Sequence, residues 1–224
     1  MNHLKQVLAI LGLTTVLGGI PAVYAQAPQS RTQQINIQQY YNQGQQKLGQ
    51  GDFNGAIEDF NAVVRLNPKF YEGYCLRGLA KSQLQDFKTA IGDFNLALQL
   101  NPTHADAYNS RGMAYAELGN IQAAIIDFSQ TIKINPASSD GFYNRGLANF
   151  RQGNHQQAIA DFNAAIRIKP NSADAYGNRG LAQYANGNSK SAVEDLQLAA
   201  RLFRSQGNTV GYQQTQALLQ QIQQ

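Results

Sequence analysis

Four prolines, Pro68, Pro102, Pro136 and Pro170, stand 34 residues apart, and a whole phrase of sequence travels with them. An Arg-Gly pair recurs at Arg77-Gly78, Arg111-Gly112, Arg145-Gly146 and Arg179-Gly180. An Asp-Phe pair recurs at Asp59-Phe60, Asp93-Phe94, Asp127-Phe128 and Asp161-Phe162. A fixed period of about 20–50 residues marks a chain of stacked repeats. Each repeat buries its apolar face only against its neighbours. The 224 residues are therefore read as one elongated domain.

The units run 37–70, 71–104, 105–138, 139–172 and 173–206. Apolar and small residues recur at spacings of three and four in both halves of a unit, as in Tyr108, Gly112 and Tyr115, then Ala124, Phe128 and Ile132. That spacing predicts two amphipathic helices per unit. Between them sit Gly51-Asp52, Gly119-Asn120, Gly153-Asn154 and Gly187-Asn188, and glycine past a helix end suits the left-handed conformation that closes it. The second unit has Gln85-Asp86 instead, so its turn is expected to be the least comfortable. Each second helix ends before Asn-Pro or Lys-Pro, because proline disfavours helix at the residue before it. Gly44, Gly78, Gly112, Gly146 and Gly180 fall mid-helix, where glycine costs about 0.5–1 kcal/mol relative to alanine. Their recurrence predicts a facing helix too close for a side chain, with Tyr40, Tyr74, Tyr108, Phe142 and Tyr176 beside it.

With these positions in register, the chain resembles a tetratricopeptide repeat (TPR) array. The aromatic, Gly, Ala, Phe and Pro positions of the family pattern match over five units, residues 37–206. The family's tryptophan is Tyr or Phe here, and its Leu before Gly is Arg in units two to five. The fifth unit has Leu196 for Phe and Arg204 for Pro, so its second helix is expected to run on to about Gln206. The resemblance implies an all-α fold, a right-handed α-α superhelix of five TPR helix pairs with a C-terminal capping helix. The chain resembles exported bacterial TPR proteins, whose usual role is assembling or holding other proteins.

The recurring charges form a candidate ion-pair ladder. Gln43 replaces arginine in the first unit, which has no unit before it. That favours pairing across the seam between units: Asp59–Arg77, Asp93–Arg111, Asp127–Arg145 and Asp161–Arg179. A register device of this kind is weighed against four arginines clamping a ligand carboxylate. A buried charge stripped of its partner is costly, which favours the former.

Residues 1–25 read as a secretory signal: Lys5, a mostly apolar run from Val7 to Ile20, then Val23-Tyr24-Ala25 at a cleavage site. The run is short of the roughly 20 apolar residues of a membrane span. Cleavage places the mature chain in the periplasm or another extracytoplasmic compartment. Residues 26–36 read as a Gln-rich flexible leader. At the other end, 207–224 read as a capping helix after Gly207-Asn208, N-capped by Thr209. An interaction tail is the other reading of that segment.

Net charge is +4, and loss of Lys5 with the signal leaves +3. Basic residues are scattered, which argues against nucleic acid. Cys75 is the single cysteine, so no internal disulfide forms. His3, His104 and His155 lack metal-ligand spacing, and no phosphate loop or nucleophile elbow is present. No metal, cofactor or enzymatic activity is expected. TPR ligands usually lie along the first helices, in a concave groove. Carrying over those positions gives Leu79, Met113, Leu147 and Leu181, then Ser82, Ala116, Phe150 and Tyr184, with Asn109, Tyr143, Asn144, Arg151 and Asn178 beside them. Such a face suits an extended segment or a helix. Equally, the leucines are explained by packing between first helices. Asp106, Asp140 and Asp174 open their helices, where an acid complements the dipole.

The function expected is a non-catalytic protein–protein interaction scaffold, holding a peptide or helix of a partner outside the cytoplasm, with no membrane contact once the signal is cleaved. Two alternatives stand beside it: an assembly factor tethered by residues 7–20, and a self-associating structural protein.

Overall fold

The computed structural model describes residues 31–222. The expected signal at 1–25 and the first part of the leader, 26–30, lie outside the described residues. Among the described residues every regular element is an α-helix: α1 (Arg31–Gln50), α2 (Phe53–Leu66), α3 (Tyr71–Gln83), α4 (Phe87–Leu100), α5 (Ala105–Glu117), α6 (Ile121–Ile134), α7 (Ser139–Arg151), α8 (His155–Ile168), α9 (Ala173–Ala185), α10 (Ser189–Ser205) and α11 (Thr209–Ile222). Successive helices pack antiparallel along two runs, α1 to α5 and α6 to α11. Contacts divide the chain into two compact units, one ending at Leu118 and one beginning at Gly119.

Local chemistry sets the boundaries. Asp52, Asp86 and Asn120 cap second helices by accepting from the amides of Gly55, Thr89 and Ala123, a satisfied donor worth about 1 kcal/mol each. His104, Ser138 and Ser172 cap first helices in the same way. After the three helices that end before Asn-Pro the Asn side chain folds back: Asn67 Oδ1 accepts from Lys69 N–H, Asn101 Oδ1 from Thr103 N–H and Asn135 Oδ1 from Ala137 N–H, each at 3.1 Å. The inter-helix turn needs a left-handed residue. Gly51 supplies it at φ 84°, while Gln85 is held at φ 62°, the one non-glycine with positive φ among the described residues.

The core of a hairpin is a ring against a bare backbone. Phe60, Phe94 and Phe162 are essentially buried. A Cβ on Gly44 would sit 2.8 Å from the Phe60 ring, and one on Gly146 2.8 Å from Phe162. In the fifth unit the smaller Leu196 stands 3.0 Å from the equivalent point on Gly180. The seams use the same device: a Cβ on Gly73 would meet Val63 at 2.9 Å, and one on Gly211 would meet Phe203 at 2.7 Å.

Three expectations about the ends and one about the ladder change or sharpen. Residues 31–36, expected in the leader, belong to α1. Gln and Arg are good helix formers, and extending a helix already anchored by buried Ile37 and Leu48 needs no new nucleus. The fifth second helix does run on, ending at Ser205 with Gln206 as its cap. The last helix is capped by Asn208, whose Oδ1 accepts from Gly211 N–H at 2.9 Å, and not by Thr209, which is already helical.

The ladder exists, but its rungs lie within hairpins. Nε and Nη2 of Arg145 donate to Asp161 at 3.0 and 2.7 Å. Arg77 is paired with Asp93 and Arg179 with Asp195 in the same way. The expected pairs across the seam, Asp59–Arg77, Asp93–Arg111, Asp127–Arg145 and Asp161–Arg179, are therefore corrected. What crosses the seam is a neutral bond from the same guanidinium: Nη1 of Arg77, Arg145 and Arg179 donates to Asn61, Ser129 and Asn163 on the preceding second helix. Arg111 reaches Asn95 likewise, at 2.6 Å. The planar fork explains this division, since two donors match a carboxylate and a third points away. Asp59, with Gln43 opposite, is held by Lys47 at 2.8 Å, and Lys81 in the next unit joins Arg77 on Asp93. Each guanidinium also lies over the aromatic one turn before it, 5.4 Å from the Tyr74 ring centre and 5.2 Å from Tyr176, a cation–π contact.

Candidate functional site

First helices approach one another beyond their hairpin partners: α1 with α3 and α3 with α5 in the first unit, and α7 with α9 in the second. The residues carried over as a binding face lie on this row, and their accessibility divides them.

In the first unit, Leu79 is buried in the cluster that holds Phe60, Leu76 and Ala80, so packing accounts for it. Asn109 is also buried, with its amide 3.7 Å from the Met113 sulfur. Met113 is 40% exposed. Between α3 and α5 lies a cavity of about 220 Å³, lined by Leu79, Ser82, Phe87, Asn109, Met113 and Glu117 among others.

In the second unit, Leu147 and Phe150 are half-buried against a cluster of Ala158, Phe162 and Ala182. The Phe150 ring lies 5.5 Å from the His155 ring. Tyr143 and Asn178, on neighbouring first helices, are brought together: Asn178 Nδ2 donates to the Tyr143 hydroxyl at 3.0 Å and to the Asp174 carbonyl at 2.9 Å. Burial pushes the Tyr143 hydroxyl well above the usual phenol range, so it stays a neutral partner for that amide. Asn144 and Leu181 are half-buried, whereas Arg151 and Tyr184 are exposed. The open surface of this unit therefore combines an aromatic ring, an aliphatic edge, amides and one cation. These are groups for contact and hydrogen bonding. No nucleophile and base are juxtaposed in them, and no cluster of metal-ligating side chains exists among the described residues.

Sequence reasoning missed Lys47, Lys81 and the seam acceptors. The signal was present, since Asn61, Asn95 and Asn163 keep the 34-residue period. It missed the cavity as well, which depends on Ser82 being small where the fourth unit has Phe150.

The comparisons with known proteins agree with this architecture. Models described as tetratricopeptide repeat match residues 41–105, 76–141 and 173–206, and one described as TPR repeat matches 148–187. No curated protein matches the chain. Among solved structures, the chain is similar to the MamA protein at 28% identity, covering 78% of this chain and 95% of that one with a TM-score of 0.68. It is similar in fold to MamA from Desulfovibrio magneticus RS-1, at 22% identity, 76% and 97% coverage and a TM-score of 0.71. It is similar in fold also to YrrB, described as a TPR protein with an unusual peptide-binding site, at 18% identity, 80% and 90% coverage and a TM-score of 0.65. The fold class is thus the all-α TPR superhelix seen in MamA.

Proposed function

We propose that this chain, which belongs to the tetratricopeptide-repeat family and is a non-catalytic protein-interaction scaffold, holds an extended segment or a helix of a partner protein on its first-helix face outside the cytoplasm. The observation that carries the reading is the exposure of large contact side chains on that row. Met113 on α5 and Tyr184 on α9 are 40% and 46% exposed, whereas the other large side chains of those helices, Tyr108, Tyr115, Tyr176 and Leu181, are half-buried. Large apolar groups left on one row are a reason to expect a partner. Aromatic rings lose little entropy on contact and suit an interface. The amides beside them meet the backbone of an extended segment. The extracytoplasmic setting rests on Lys5, the apolar run from Val7 to Ile20, and Ala25.

The test is affinity purification of the mature protein from its native envelope, beside the Phe150→Ala/Tyr184→Ala variant. A partner retained by the first and lost from the second is the expected result. Equal capture by both removes the face from the function. An intact Met1 in the exported protein removes signal cleavage.

A further inference from the structure

We infer that the cavity between α3 and α5 is a socket for a large aromatic side chain, with a neighbouring cation, of the partner. This rests on the first-helix face being the binding surface. It goes beyond that reading by naming the anchor.

The repeat itself shows what fits. Two units downstream, the position of Ser82 is held by Phe150, that of Phe87 by His155, and that of Ala114 by Ala182. There the Phe150 ring packs against the cluster containing Ala182, 5.5 Å from the His155 ring. Between α3 and α5, Ser82, Phe87 and Ala114 line open space instead. The chain fills this place with a phenyl ring in one hairpin and leaves it vacant in another. The volume agrees, because an apolar cavity of about 150 Å³ accommodates benzene, and this one measures about 220 Å³. Apolar walls from Leu79, Phe87 and Met113 supply the drive for burial.

The rim supplies the charge preference. Glu117 is the one charged residue in the lining, and it is exposed. Its counterpart two units on is Ala185, beside a filled site. An ammonium or guanidinium next to the ring would lie in the field of Glu117. A carboxylate there would be repelled, which discriminates between partners as much as it attracts one. The anchor is therefore Phe, Tyr or Trp followed or preceded by Lys or Arg.

Benzylamine carries both features, benzoate reverses the charge, and butylamine lacks the ring. Each is titrated into the mature protein at fixed ionic strength while amide and methyl resonances are followed by NMR. Benzylamine is expected to give saturable shifts confined to Leu79, Ser82, Met113 and their neighbours. It should bind about fivefold more tightly than benzoate, the scale of a partly exposed ion pair, and about fivefold more tightly than butylamine, through burial of its ring. Ser82→Phe should abolish those shifts without lowering thermal stability, since the Ser82 hydroxyl has no hydrogen-bond partner among the described residues. Glu117→Gln, an exposed change that leaves the fold alone, should bring benzylamine down toward benzoate. Scattered or non-saturating shifts, equal affinity for the three probes, or binding retained in Ser82→Phe overturns the socket. No captured partner is needed. Failure here with capture intact rejects the socket alone, and lost capture with benzylamine bound rejects the wider face alone.

Discussion

Arg179 grips both carboxylate oxygens of Asp195, Nε on one and Nη2 on the other, each at 2.6 Å. The aspartate is almost out of solvent and the arginine mostly so. The fork makes the hairpin rigid, and its remaining nitrogen, bonded to Asn163, fixes the next hairpin's position on the previous one. One side chain thus sets both the angle within a repeat and the register between repeats. The pair holds Arg179 in its charged form, the bond to Asp195 being the largest influence.

The equivalent pair in the fourth unit gives a direct test. Arg145→Leu leaves Asp161 buried without its main counter-charge and should destabilise by about 2–3 kcal/mol, somewhat under the range for a fully buried pair. Asp161→Asn with Arg145→Leu should recover part of that loss. Urea unfolding of the two single variants and the double should show coupling of about 1 kcal/mol or more. The same cycle on Asp127 and Arg145 should show less, and the reverse order would restore the seam pairing.

How far the sequence spoke is clearest at this ladder. The 34-residue period, the two helices per repeat and the Gly–Phe contact were all legible, because each rests on local spacing repeated in register. The partners of the arginines were not. An aspartate precedes each arginine across the seam and follows it across the hairpin at nearly equal separations, so a repeated pattern fits either choice. Gln43 in place of arginine points to the seam, yet Lys47, one turn further on, takes over Asp59 within the hairpin. For the binding face, the register placed residues on the correct helices but not their depth. Asn109 and Met113 are one turn apart, and the first is buried while the second is open.

Gln85 occupies the left-handed turn that glycine fills elsewhere. A side chain there costs roughly 1–2 kcal/mol in the folded state, partly offset by the freedom glycine would lose on folding. Gln85→Gly should therefore stabilise by about 0.5–1 kcal/mol. A rise in the urea midpoint with an unchanged slope is the expected reading. The same substitution to alanine should bring no such gain.

Gly146 has no room for a methyl group, since its Cβ would lie 2.8 Å from the Phe162 ring. The ring belongs to the packed core and cannot swing away as a surface side chain would. Gly146→Ala should destabilise by about 1–3 kcal/mol despite the better helix propensity of alanine. Phe162→Leu added to it should recover part of the loss, as the natural pairing of Gly180 with Leu196 leaves slightly more space. Thermal unfolding of the three variants decides whether the contact or the glycine backbone itself is limiting.

His104 caps α5 with its ring, Nδ1 accepting from Ala107 N–H at 3.1 Å, and the Tyr71 ring stands edge-on 5.2 Å away. An accepting Nδ1 must be unprotonated. Burial holds the imidazole below its ordinary value, with its own backbone hydrogen bonding opposing more weakly. The folded pKa is thus depressed relative to an unfolded value of about 6.5. Between the two, the unfolded chain binds the extra proton, so stability falls with acidity. The contribution is complete above about pH 7, declines as the pH drops through 6.5 and is gone below the folded value. Serine caps the next two first helices, at Ser138 and Ser172. His104→Ser should keep a cap worth about 1 kcal/mol and remove this slope. Urea unfolding of both proteins at pH 7.5, 6 and 5 should show the wild type losing ground to the variant on acidification. Parallel curves would mean that the proton does not reach this cap.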